Sequence, residues 1–156
     1  MSEPRQFALR ADLKGATWDL LLYVPTVVAL ASGAAMLWFG GDHSLAYVLS
    51  FLASFFFIVG ANRILKTRLM VLPAAPVRLD VDAELVAVVL RSGTRADMVK
   101  DQRLYPDLAG RTFGISGLNR QGQRLQFVFH RGQFGDDKQY AAAQEAIRRL
   151  APKKSA

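Results

Sequence analysis

Two long stretches of the chain contain no charged residue, and they constrain its fold more than any other feature. They cover Leu20–Gly41 and Ser44–Asn62, and only two residues lie between them. A helix needs about 20 predominantly apolar residues to cross the hydrocarbon core of a bilayer, and each stretch is about that long. The sequence therefore predicts a transmembrane hairpin of two helices over residues 17–66.

The positive charges beside these stretches predict the orientation of the hairpin. The loop between the two spans has no Lys or Arg, whereas both flanks are basic, with Arg5, Arg10 and Lys14 before the first span and Arg63, Lys66 and Arg68 after the second. Basic flanks stay on the cytoplasmic side of a membrane. We therefore expect a multi-pass protein with both termini in the cytoplasm, including an N-terminal segment over residues 1–16.

A cleaved secretory signal is the alternative interpretation of the first apolar stretch. A basic start, an apolar run and the small residues of Ala29–Ser32 are typical of a signal peptide with its cleavage site. The apolar run continues past that segment to Phe39, and a second span follows. This length favours a membrane hairpin.

Small residues recur at a spacing of four in both spans. A small side chain lets two helix backbones approach closely within a membrane. The candidate helix-packing residues are Ala29, Gly33, Ala46, Ser50 and Ser54, with Ala31 and Ala35 in a parallel row. Either the two helices pack on each other through these residues, or one face is kept for the helix of a partner. Asp19, at the cytoplasmic mouth, is expected to pair with Lys14 or Arg63.

A proline-rich linker over residues 71–76 separates the hairpin from a polar domain over residues 77–152. Alternating apolar residues in this domain predict about five mostly antiparallel strands. They are expected at Val77–Val81, Leu85–Leu90, Asp97–Tyr105, Arg111–Leu118 and Arg124–His130. A C-terminal amphipathic helix follows, capped by Asp136 or Asp137, with a buried stripe that includes Tyr140 and Ile147. The predicted fold class is a membrane α-helical hairpin plus an α+β domain.

This order of elements resembles the small bacterial membrane proteins that carry a pleckstrin-homology-like (PH-like) domain beside two membrane spans. The segment Leu104–Ile115, the strand Leu125–Phe129 and the helix at Tyr140 carry the resemblance. It implies the bacterial inner membrane and an antiparallel PH-like sheet or barrel with seven strands before the helix. Either short strands lie between Arg91 and Gly110, or the fold is a reduced variant.

No group of residues in the sequence has the pattern of a catalytic, cofactor or metal site. The chain has no cysteine, and the predicted topology puts His43 and His130 on opposite sides of the membrane. The glycine-rich run Gly110–Gly117 lacks the Gly-Lys-Ser/Thr ending of a phosphate loop, so its glycines are expected to allow bends or close packing. We expect no enzyme, no cofactor and no small-molecule substrate.

The basic excess of the chain, a formal net charge of +7, indicates a negatively charged partner. Anionic lipid headgroups and an acidic protein subunit are the two leading candidates, and nucleic acid is disfavoured because no aromatic stacking platform accompanies the cations. The candidate lipid- or partner-facing residues are Arg63, Lys66, Arg68, Arg91, Arg95, Arg103 and Arg111, with Lys100 on the same side.

Two functions remain. The first is a non-catalytic accessory or assembly subunit, whose hairpin packs on other inner-membrane subunits and whose PH-like domain docks on a cytoplasmic surface. The second is a membrane-anchored module that binds anionic lipid headgroups or a peptide. A basic ring that faces the membrane would favour the first function, and basic residues that converge on one pocket would favour the second.

Overall fold

The computed structural model describes residues 3–151 and divides the chain into two compact units. One unit is the continuous segment Leu13–Leu69, and the other combines the chain before residue 13 with the chain from Met70 onward. We call them the hairpin and the sheet domain. Residues 1, 2 and 152, which fall within the predicted domain bounds, lie outside the described part of the chain.

The hairpin is a pair of long helices joined by a tight turn. Helix α1 spans Leu13–Phe39, helix α2 spans His43–Asn62, and Arg63–Arg68 continue α2 as a π-helical turn. The Asp42 carboxylate caps α2 by accepting a hydrogen bond from the backbone N–H of Leu45 at 3.2 Å. Helix α1 begins before the predicted bound of residue 17, and the π-helical turn that follows α2 ends after the predicted bound of residue 66.

Both helices of the hairpin are long and apolar enough to cross a membrane. Most of their large apolar side chains are exposed, and Leu22, Phe51 and Ile58 are examples. A core helix of a soluble protein buries such side chains, so this exposure fits a hydrocarbon surrounding. Length, composition and exposure together support association with a membrane.

Small residues bring the two helices together, but in a pattern that differs from the predicted one. The buried small residues of α2 are Ala46, Ala53 and Gly60, which recur every seven positions. At Gly60 an added Cβ would lie 2.7 Å from the Tyr23 ring, so only glycine fits without a shift. Gly33 also faces the partner helix, because its Cβ would lie 3.2 Å from Leu49 Cδ1.

Ala29, Ser50 and Ser54, which the sequence placed on the packing face, are instead exposed on the outside of the helix pair. Ala31 and Ala35 are exposed as well. The physical reason is helix periodicity: a strict spacing of four drifts around a helix of 3.6 residues per turn, whereas alternating spacings of three and four stay on one seam.

The sheet domain contains two antiparallel sheets in its described residues. The first has four strands in the order β1–β2–β3–β4, and the second has three in the order β5–β6–β7. The strands are β1 Arg5–Ala8, β2 Pro76–Val81, β3 Val86–Leu90, β4 Arg95–Met98, β5 Lys100–Pro106, β6 Thr112–Leu118 and β7 Arg124–His130. The two sheets do not close into one barrel.

The N-terminal segment supplies strand β1, which the sequence analysis did not predict. It pairs with β2 in antiparallel register, with Phe7 opposite Leu79, and the ladder continues through the bond from Leu9 N–H to Val77 C=O at 3.0 Å. Phe7 and Leu9 are both buried in the core. The hairpin is therefore inserted in sequence between two neighbouring strands of one sheet.

The predicted count of about five strands is also too low because two short strands lie between Arg91 and Gly110, which confirms one of the two alternatives that the sequence left open. The single expected strand over Asp97–Tyr105 is in fact the end of β4 followed by β5, because the chain turns at Val99. A register shift follows, Asp101 adopts φ 51°, and the buried Gln102 side chain donates hydrogen bonds to the carbonyls of Met98 and Glu84 at 3.0 and 3.2 Å. These bonds stabilise the corner between the sheets.

The predicted linker over residues 71–76 is packed into the sheet domain. Ala75 is fully buried, Pro76 opens β2, and the Arg91 N–H donates to the Ala75 carbonyl at 2.8 Å. The linker therefore extends the pairing of β2 with β3 at one end of the first sheet as well as ending the hairpin.

The C-terminal helix α3 covers the core of the sheet domain. It spans Asp137–Leu150, and the Asp136 carboxylate caps it by accepting from Gln139 N–H at 2.8 Å, which confirms the predicted cap and helix. Helix α3 packs against β5 and β2. The core that it covers contains Leu79, Val86, Val88, Met98, Phe113, Ile115, Phe129, Phe134, Ala143 and Ile147.

Close packing also explains one glycine of the predicted glycine-rich run. A Cβ added at Gly117 in β6 would lie 2.8 Å from Met98 Cβ in β4. The absence of a side chain therefore lets the two sheets approach each other at this point. Gly110 has φ 66° in the turn before β6, which is the second role expected for this run.

Candidate interaction surfaces

The hairpin contains one buried ion cluster, at the end where the chain enters and leaves it. The Asp19 carboxylate accepts hydrogen bonds from Arg63 Nε at 3.1 Å and from Arg68 Nε at 2.8 Å. The predicted pairing of Asp19 with Arg63 is confirmed, and Arg68 is the second partner that the sequence did not indicate. Lys14, the other predicted partner, has no ion pair in the described residues.

A second ion cluster lies on the outer face of the first sheet. Alternation along β2 puts Leu79 in the core and Asp80 on the opposite face. Arg78 binds Asp80 with two guanidinium nitrogens at 2.9 and 3.1 Å, and Arg95 reaches the same carboxylate at 3.2 Å. Because the small, fully buried Ala87 lies opposite Asp80 in the register, the guanidinium groups have room to cover the carboxylate.

A third cluster lies at the register shift of β5. The Asp101 carboxylate accepts from Arg103 Nε at 3.0 Å and from an Arg124 terminal nitrogen, and Arg124 also donates to Ser116 Oγ at 3.0 Å. The hydrogen bonds from Arg124 and Arg103 lower the pKa of Asp101 below its ordinary value, and the bond to Asp101 raises the pKa of Arg103.

These clusters engage most of the cations that the sequence analysis proposed for lipid or partner binding. Arg63 and Arg68 bind Asp19, Arg95 binds Asp80 and Asp97, Arg103 binds Asp101, and Arg91 donates to the Met70 carbonyl at 3.2 Å. In the described part of the chain, the side chains of Lys66 and Arg111 have no such partner. The predicted residues therefore do not form one free basic face within the sheet domain.

The β5–β6 turn is the most exposed apolar feature of the sheet domain. Leu108 is fully exposed at its tip, and the aromatic side chain of Tyr105 is half exposed beside it in sequence. Two hydrogen bonds hold the turn, from Asp107 N–H to Thr112 C=O and from Gly110 N–H to Asp107 C=O, both at 3.0 Å. A turn held by two hydrogen bonds thus presents a leucine to the surroundings, and Arg111, whose side chain has no partner within residues 3–151, follows Gly110.

Sequence reasoning missed Leu108 as a functional candidate. It follows Asp107 and precedes Ala109 and Gly110 in a turn after a proline, where polar residues are the rule. An apolar residue at such a position was the available signal, because a turn cannot bury it.

The exposed small residues of the hairpin line a shallow groove between the two helices. The groove has a volume of about 440 Å³, and its walls include Ala31 and Ala35 of α1 and Ser50 and Ser54 of α2. The Ser54 hydroxyl is occupied, since it donates to the Ser50 carbonyl at 2.9 Å. Two of the predicted packing residues thus border an open face instead of the seam within the hairpin.

The described residues contain no group of three or more His, Cys, Asp or Glu side chains that could hold a metal ion. His43 is the first residue of α2 and contacts the Trp38 ring of α1, with ring centroids 4.4 Å apart. His130 ends β7 and its backbone N–H donates to Gln133 Oε1 at 2.8 Å.

Comparison with known proteins adds no identity: no family model, no curated protein and no solved structure matches the chain.

Proposed function

We propose that this protein is a non-catalytic accessory or assembly subunit of a larger bacterial inner-membrane complex. In this proposal the hairpin packs on partner helices, the sheet domain docks on a cytoplasmic surface of the complex, and both termini are cytoplasmic. The observation that carries the proposal is the hydrogen-bonded turn that exposes Leu108. A fully exposed leucine on a held turn is suited to insertion into an apolar pocket of another protein.

We also propose that the sheet domain is PH-like. Its support is the arrangement of the described strands: four in one antiparallel sheet, three in another, and a helix that follows the last strand and covers the core. A PH-like domain without a catalytic site suits an adaptor, although the fold by itself does not define a function.

The hairpin contributes the second contact of the proposed subunit. Its groove of exposed small residues, defined above by Ala31, Ala35, Ser50 and Ser54, leaves the backbones of α1 and α2 accessible to a third helix. Small side chains at such a face let a partner helix pack closely, which supplies the van der Waals contact that drives helix association in membranes.

The alternative proposal, a module in which the sheet domain binds lipid headgroups or a peptide through its cations, has less support. Arg91, Arg95 and Arg103 already donate to acceptors within the domain. To bind an anionic ligand they would have to leave these acceptors, and each broken charge-assisted bond would reduce the net gain.

The test is gentle extraction of the tagged protein from its native membrane, followed by mass spectrometry of the proteins that copurify. We expect a stoichiometric set of inner-membrane proteins with the wild type. Leu108→Asp should reduce their recovery at least tenfold, because a charge cannot enter an apolar pocket without losing its hydration.

Gln121→Asp is the matched control, since it adds the same charge at the β6–β7 turn, where no apolar residue is exposed. Its recovery of partners should equal that of the wild type. Recovery of the wild-type protein alone would contradict the accessory-subunit proposal, and equal recovery with Leu108→Asp would exclude the turn as the docking site.

A further inference from the structure

A second groove on the hairpin lies toward the end that carries the ion cluster, and its walls differ from those of the small-residue groove. It has a volume of about 420 Å³ and is lined by large apolar side chains of both helices. Those that define it are Leu20, Tyr23, Val27, Phe57, Ala61 and Ile64. We call it the inner groove. Its volume falls in the range of about 300–1,000 Å³ that is typical of small-molecule sites.

The shape of the inner groove depends on one glycine. Gly60 also lines it, and the Tyr23 ring lies so close that a Cβ at position 60 would be 2.7 Å from Tyr23 Cγ. The ring therefore rests on the backbone of α2, and the branched side chains on either side form the walls. The shape of the groove therefore follows from how the two helices pack on each other.

The chain carries a surplus of positive charge next to this groove. Ile64 and Leu65 line it, and the cations Arg63 and Lys66 flank these two residues in sequence. Arg63 uses its Nε to bind Asp19, its side chain is 44% exposed, and its terminal nitrogens have no partner within the described residues. The Lys66 side chain has no hydrogen-bond or ion-pair partner within the described residues either.

The bond to Asp19 prepares Arg63 for a ligand. The Asp19 carboxylate is shared between Arg63 and Arg68, so it is not a counter-ion for Arg63 alone. The carboxylate holds the Arg63 side chain through Nε. The forked end of the guanidinium, which matches the geometry of a phosphate group, stays available for a ligand.

We propose that the inner groove binds an anionic phospholipid. One acyl chain occupies the groove, and the phosphate of the headgroup binds Arg63 and Lys66. Charge complementarity favours this occupant, because an anionic phospholipid supplies both an acyl chain for the apolar groove and a phosphate for the two cations. The bulky walls also favour a lipid chain over a partner helix, because close approach of a helix backbone needs small residues. The hairpin forms this site alone, so the proposal does not rest on the accessory-subunit function.

The test uses the purified full chain in detergent, to which defined lipids are added and bound lipid is measured by native mass spectrometry. The probes are phosphatidylglycerol, which is anionic, and phosphatidylcholine, which is zwitterionic. We expect the wild type to bind phosphatidylglycerol at least tenfold more tightly. Lys66→Gln should weaken that binding about fivefold, the loss of one well-placed cation near a lipid surface.

Ala61→Phe tests the apolar half of the site, because a ring at position 61 fills the groove and should weaken the binding of both lipids. Val48→Phe is its matched control, an exposed residue of α2 outside the inner groove, and Arg120→Gln is the control for Lys66→Gln. Both controls should bind like the wild type. Circular dichroism of each variant should show the wild-type helix content, so that unfolding does not explain a loss.

Equal affinity for the two lipids, or wild-type affinity in Lys66→Gln, would overturn the proposal. Wild-type lipid binding by Ala61→Phe together with loss of its copurifying proteins would also overturn it, since the groove would then hold a partner helix. Loss of lipid binding with partner recovery intact would support the lipid site and leave the accessory-subunit function standing.

Discussion

The hairpin and the sheet domain distribute their side chains in opposite ways. In the hairpin the large apolar residues are outside, and the seam between the helices contains alanine, glycine and the Asp19 carboxylate. In the sheet domain the large apolar residues form the core, and the ion clusters of Asp80 and Asp101 lie on its faces. The hairpin thus exposes apolar side chains, which suit a hydrocarbon surrounding, and the sheet domain exposes charged ones, which suit water.

The largest expected change in stability that tests this contrast comes from comparing two phenylalanines. Phe113 is fully buried in the sheet domain, so Phe113→Ala should lower the domain's free energy of unfolding by about 3–5 kcal/mol. Phe51 is exposed on the hairpin, and Phe51→Ala should leave the hairpin's stability nearly unchanged. Hydrogen exchange of the amides in β6 and in α2 measures each unit separately. A loss of protection in α2 as large as that in β6 would break the contrast.

The next effect concerns small residues in the hairpin. Ala46 is buried in the seam, so Ala46→Leu should force the helices apart and cost about 1–3 kcal/mol. Ala29, which the sequence also placed on a packing face, is exposed, and Ala29→Leu should be tolerated. Thermal unfolding in a single detergent, followed by circular dichroism, compares the two variants. If Ala29→Leu is as unstable as Ala46→Leu, the seam described here is wrong.

A smaller effect of opposite sign is expected at Tyr140. Its hydroxyl is buried beside Phe113 and Phe134 and has no hydrogen-bond partner in the described residues. Tyr140→Phe removes this unsatisfied polar group, so it should raise the stability of the domain by up to about 1 kcal/mol. A loss of more than that in denaturant titration would mean that the hydroxyl is satisfied in solution.

The same residue predicts a dependence on alkaline pH. Burial raises the pKa of Tyr140, so the folded domain holds this proton more tightly than the unfolded chain does. The contribution of the bound proton to the stability of the folded domain is therefore present below a pH of about 10 and is lost as the pH rises through the raised pKa. Wild type and Tyr140→Phe should differ in the slope of stability against pH only above that value.

The smallest effect is expected at the Asp101 cluster on the surface. Because Arg124 and Arg103 lower the pKa of Asp101, its contribution to stability is present above a pH of about 4 and is lost as the pH falls through the lowered pKa. Asp101→Asn should remove that part of the acid sensitivity. Glu84→Gln, at an exposed turn without an ion pair in the described residues, is the control. Acid titrations of both variants that coincide would contradict the prediction.

Much of the fold was predictable because its signals are local. The strands at Val77, Leu85, Arg111 and Arg124 and the helix at Tyr140 follow from short periodic patterns, and the structure confirms them. Strand β1 was not predicted, since its four residues give a weak pattern and its partner is separated from it by the whole hairpin. The break at Val99 escaped prediction because no glycine or proline marks it.

The candidate sites were less predictable than the fold. Cations in the neighbourhood of residue 100 were expected to line one basic side of the domain. In the structure, Arg95 of β4 reaches Asp80 of β2 across β3, and Asp101 binds Arg124 from β7. These partners are distant in sequence, so a linear pattern of charges did not reveal which cations are already neutralised.

The sequence by itself determined the two long apolar helices, the polar domain after them and the capped C-terminal helix, because composition and periodicity act over short stretches of chain. Only the tertiary structure decided that the N-terminus completes the first sheet, which small residues face the seam, and which charges remain without a partner. Those properties depend on distances between residues that are far apart in sequence, and pairing and burial depend on distance in space.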